Sequence, residues 1–83
     1  MNPNILKMFM ELADVSQQQL AQLLGVHQTT VSAWLVERHK MSKTHTDKLT
    51  RIIGEQNVFL LEVHSGSMQV ISKDLKKRLE GRV

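Results

Sequence analysis

The side chains that carry out most protein chemistry are present in this 83-residue chain, but their spacing argues against catalysis. The four histidines, His27, His39, His45 and His64, have neither H-x-x-x-H spacing nor a cysteine nearby, so a zinc site is not expected. Serine, histidine and aspartate occur without the strand-turn-helix setting that exposes a nucleophile. No glycine-rich phosphate loop is present. An enzyme is therefore not expected, nor is a cofactor. What remains is a run of short hydrogen-bonding side chains, His27-Gln28-Thr29-Thr30, followed by Ser32. Val31, Trp34 and Leu35 have the spacing of a buried helical face, yet Thr29, Thr30 and Ser32 are poor helix formers, costing up to about 0.7 kcal/mol each against alanine. Such residues serve hydrogen bonding to something outside the helix better than they serve the helix.

Charge points to the class of partner. Residues 1–37 carry a net charge of −2 and residues 38–83 carry +5, so a basic segment opens at Arg38, directly after the polar run. A polyanion is the partner such asymmetry suits, although a solvated basic surface explains it equally. With no cysteine, disulfides are excluded and a reducing compartment fits. No stretch approaches the roughly 20 apolar residues of a membrane span, and no leader pattern is visible, so a cytoplasmic protein with no membrane partner is expected. The length leaves room for one small domain, little for a ligand-sensing one, and a homodimer would help so small a core.

The elements that must hold these residues can be read from capping and periodicity. Asn2-Pro3 starts a first helix, about 3–13, whose Ile5, Leu6, Met8, Phe9 and Leu12 share a face. Ser16 and Gln19 have capping-box spacing and open a second helix over 17–24. Gly25 follows its last apolar turn, where a chain leaving a helix needs positive φ. A third helix spans about 28–36. A fourth, capped by Ser42 or Thr44, spans about 44–53 and ends at Gly54. Beyond Asn57 the texture changes. VFLLEV, HSGS and MQVIS predict a β-hairpin over about 58–63 and 68–72, with a short helix through Phe59-Leu60-Leu61 as the rival, and then a last basic helix over 73–80 capped by Ser72.

A short helix, a glycine turn and a second helix with an exposed polar face form a helix-turn-helix. The pattern Gln17, Leu20-Ala21, Leu24-Gly25-Val26, Val31-Ser32 and Trp34 resembles that of phage Cro and lambda-repressor-type transcriptional regulators. The resemblance implies a mainly α bundle of about four to five helices, or α+β with the hairpin. It divides one domain into a helix-turn-helix core, 1–56, and a C-terminal extension, 57–83. It implies binding to a double-stranded DNA operator as a homodimer, with no small-molecule ligand, and repression by occupying a promoter. A lambda-type activator and an antitoxin or other protein-interaction module are the rivals. By position, His27, Gln28, Thr29, Ser32 and Ala33 would meet base edges, Gln28 pairing with an adenine and Ala33 packing on a thymine methyl. Gln17, Arg38, His39, Lys40 and Lys43 would contact phosphates. Trp34 belongs to the core. The strand pair joining Cro subunits points to Val58, Phe59, Leu60, Leu61, Val63 and Val70 as a dimer surface, with closure of the chain's own core as the alternative. The chain departs from lambda Cro in carrying a fourth helix between recognition helix and tail.

Overall fold

Short polar side chains start four of the six helices. In the computed structural model, which describes residues 1–63 and 67–82, these are α1 (Pro3–Ala13), α2 (Gln17–Leu24), α3 (Gln28–Leu35), α4 (Lys43–Ile53), α5 (Glu55–Glu62) and α6 (Met68–Arg78). Asn2 accepts the amide N–H of Asn4 at 2.8 Å. Ser16 and Gln19 form the full capping box, at 3.1 and 3.0 Å. Ser42 caps α4 and Ser67 caps α6 through the N–H groups three residues on. Only α3 and α5 lack a side-chain cap.

The first three helices end alike. Asp14, Gly25 and Glu37 each adopt left-handed backbone, with φ of 56°, 70° and 60°. In each case the following N–H reaches back five residues: Val15 to the Met10 carbonyl at 2.9 Å, Val26 to Ala21 at 3.0 Å and Arg38 to Ala33 at 2.9 Å. These are Schellman terminations, which turn the chain sharply while satisfying carbonyls at the helix end. Val15 and Val26 tuck back against the core as the motif favours.

The tail is where expectation and structure part. Among the described residues there is no strand, and the hairpin over 58–63 and 68–72 is replaced by α5 and the first turns of α6. The turn assigned to HSGS falls on residues 64–66, outside the described residues; Ser67 instead caps a helix. The last helix begins at Met68 rather than Lys73, and Ser72 lies inside it, donating its hydroxyl to the Leu12 carbonyl at 2.6 Å. The physical reason is burial at helical spacing. Ile71, Leu75 and Leu79 reach the core from one face of α6 and its end, and Leu61 does so from α5. β-branched density in a six-residue run does not outweigh such packing.

The core is a single cluster contributed by all six helices, including Leu6, Phe9, Leu20, Val31, Leu49, Ile53, Leu61 and Leu75. Helix α1 lies at its centre, packed against α3, α5 and α6. Residues 1–56 thus share their apolar interior with the C-terminal helices.

Candidate nucleic-acid interface

Two features of α2 allow α3 to lie against it. Ala21 is 3% exposed and leaves room for a close crossing, and Gly25 makes the turn between them. Val31 and Trp34 then anchor the inner face of α3. The face opposite is left to solvent. His27, Gln28 and Thr29 are exposed at the helix start, and Ser32 is half-buried one turn later. His27 precedes the helix without a side-chain capping bond. Ala33 differs from the others. At 9% exposure it packs beneath this face, and the methyl expected to reach a thymine is largely covered by the protein itself.

Ser32 donates its hydroxyl to the side-chain carbonyl of Gln17. The bond ties the start of α2 to the middle of α3 and joins one of the expected base-contacting residues to one of the expected phosphate-contacting ones. It uses the Gln17 oxygen as acceptor and leaves the amide NH2, the group an anion needs, unoccupied by it.

The basic segment follows immediately. Arg38, His39, Lys40 and Lys43 are all exposed, and among the described residues none of them pairs with a carboxylate. The loop is fixed at both ends. The Schellman turn at Glu37 directs it away from α3, and Ser42 starts α4 with its hydroxyl 3.0 Å from His45 Nδ1. The His45 ring in turn lies 5.6 Å from that of Trp34, tilted by 50°. Trp34, buried as expected, therefore supports the exposed polar face of α3 from behind and the basic loop from the side.

Of the six tail residues expected at a dimer surface, Leu61 is fully buried in the chain's own core, and Val58 and Leu60 are half-buried against it. Phe59, Val63 and Val70 face outward, at 61, 49 and 66% exposure. One further apolar side chain, Val36, is 66% exposed at the end of α3. It escaped the sequence reading, although its spacing from Ser32 and Thr29 was a usable signal.

The helix-turn-helix family model matches residues 6–54, more than half of the chain and all of α2, α3 and α4. No curated protein and no solved structure matches the chain. Among the described residues, no helix is long and apolar enough to cross a membrane.

Proposed function

Since the chain belongs to the helix-turn-helix family of DNA-binding regulators of the Cro and lambda-repressor type, we propose that it is a Cro-type repressor that binds a palindromic operator as a homodimer. Helix α3 enters the major groove. Gln28 bonds the N6 and N7 positions of an adenine, Thr29 meets the neighbouring base, and His27 and Ser32 approach from the flanks. Gln17, Arg38, His39, Lys40 and Lys43 hold phosphates, supplying affinity and register rather than sequence choice. A second copy, joined through Phe59 on α5 and Val63 at its C-terminal end, places its own α3 one helical turn away, about 34 Å. Repression follows from occupancy, in competition with polymerase. The observation that carries this reading is the exposed polar face of α3 lying beside four basic side chains, in the loop after it and at the start of α4, that among the described residues have no carboxylate partner.

Selection from a random duplex library at physiological salt tests it. An inverted repeat with half-sites about 10 base pairs apart is expected. On the selected operator, Gln28→Ala should relax preference at one base pair per half-site by about 1–3 kcal/mol, with nonspecific binding intact. Lys40→Ala should weaken every site alike and flatten the salt dependence by about one unit. A folded protein that enriches no sequence would overturn the proposal.

A further inference from the structure

Val36 is the C-cap of α3, and its N–H still bonds the Ser32 carbonyl at 3.1 Å, so it keeps the helical register. It stands seven residues beyond Thr29 and four beyond Ser32. At 3.6 residues per turn that places it within about 20° of Thr29 and about 40° of Ser32 around the axis. Val36 is therefore in the middle of the outward polar face, not at its border, and two-thirds of it is open to solvent. A valine there has no donor for a phosphate and no acceptor for a base amine. The chemistry it can recognise in a major groove is an apolar one, and the apolar group that distinguishes one base edge from another is the thymine 5-methyl. Ala33, the other apolar side chain near this face, is too well covered to serve. Beyond the exposed Glu37, the residues Arg38, His39 and Lys40 bring positive charge to the same end of the helix.

We propose that Val36 is a specificity-determining residue that packs on the 5-methyl group of a thymine, a role that rests on α3 being the recognition helix. Seven residues at 1.5 Å per residue separate Val36 from Thr29 by about 10 Å. Because a recognition helix follows the groove and not the duplex axis, the thymine it reads lies within about three base pairs of the pair met by Thr29, at 3.4 Å per base pair.

The test replaces each thymine of the selected half-site in turn with deoxyuridine, which removes only the methyl group. Affinities are measured for the wild type, Val36→Ala and Gln28→Ala. At one position, within about three base pairs of the Thr29 contact, deoxyuridine should weaken wild-type binding roughly fourfold, the worth of burying one methyl group. Val36→Ala should lose about the same factor on the thymine operator and be indifferent to deoxyuridine there. Thermal melts check that this exposed substitution leaves the fold intact. If no deoxyuridine weakens the wild type, or if Val36→Ala weakens all duplexes alike, Val36 reads no methyl group. Should that happen while Gln28→Ala still relaxes one base pair, the recognition helix stands and only the role of Val36 falls. If Gln28→Ala also leaves base preference unchanged, or no operator is enriched, both fall.

Discussion

Glu37 sits where a glycine would ordinarily stand. Its φ of 60° is left-handed, as Gly25 is at the equivalent point of α2, but Glu37 carries a Cβ. For an L-residue this conformation costs roughly 1–2 kcal/mol, and glycine gives back about 0.5–1 kcal/mol of that through unfolded-chain entropy. Glu37→Gly should therefore raise stability by about 0.5–1 kcal/mol in urea unfolding, and a loss of stability would show that the carboxylate has a role the backbone does not reveal. At this scale the sequence was uneven in what it disclosed. Gly25 announces its own conformation by type, and so do Ser16 and Asn2 as caps. Glu37 does not, because a residue in left-handed backbone by tertiary demand has no compositional mark. The same holds for Ser32. Its type suggested hydrogen bonding, but its partner, Gln17, fifteen residues earlier, is set by how α2 crosses α3.

Among the elements, α1, α2 and α4 were legible because caps, periodicity and stops agreed within each segment, and α3 was legible from its apolar spacing after Gly25. The last two were legible only in part, α6 from Lys73 onward and α5 as the rival short helix through Phe59-Leu60-Leu61. In α5 the inward residues Asn57 and Leu61 are separated by a stretch whose apolar side chains point several ways, and Phe59 faces water. No single period marks such a segment. What holds it is a polar junction: Asn57 donates to the Ile53 carbonyl at 2.8 Å and to Asp74 at 2.7 Å, and Arg78 Nε donates to the same carboxylate at 2.9 Å. The Arg78 guanidinium lies over Gly54, between α4 and α5, where a Cβ would come within 2.8 Å of its carbon. The hydrogen bond from Asn57, then that from Arg78, holds the Asp74 carboxyl below its ordinary value of 3.8. A carboxylate with a depressed folded pKa stabilises above its unfolded pKa, and that contribution disappears as pH falls through the folded one. Asp74→Asn should melt lower than wild type at neutral pH, and the gap should close as pH drops below about 3.8. Added salt should narrow it, because the side chain is 45% exposed. A gap unchanged across the acid range would mean that charge contributes nothing there.

At the scale of the whole molecule, the proposed dimer would form through the exposed apolar residues of the tail. Phe59 and Val63 lie four apart, on one side of α5, and neither is needed for the chain's own interior. A proposed dimer through this face makes a sharp expectation for Phe59→Asp. By light scattering the wild type should be a dimer and the variant a folded monomer, with operator binding weakened and no longer cooperative between half-sites. A variant that stays dimeric would move the interface elsewhere.

The closure of α6 onto α1 has a further consequence, which concerns time rather than energy. Ser72 bonds the carbonyl of Leu12 across 60 positions of sequence, and α1 is the helix around which the core assembles. The family match ends at residue 54, before either of the last two helices begins its packing. During synthesis α2 and α3 can pair as soon as they emerge, since their contacts are local. Helix α1, made before the other five, must wait for α6 before its far face is covered. Long-range contacts of this kind form only after the loop-closure entropy has been met, which makes them the slow part of assembly. A nascent chain therefore carries a paired reading head well before it has a finished core to hold it steady.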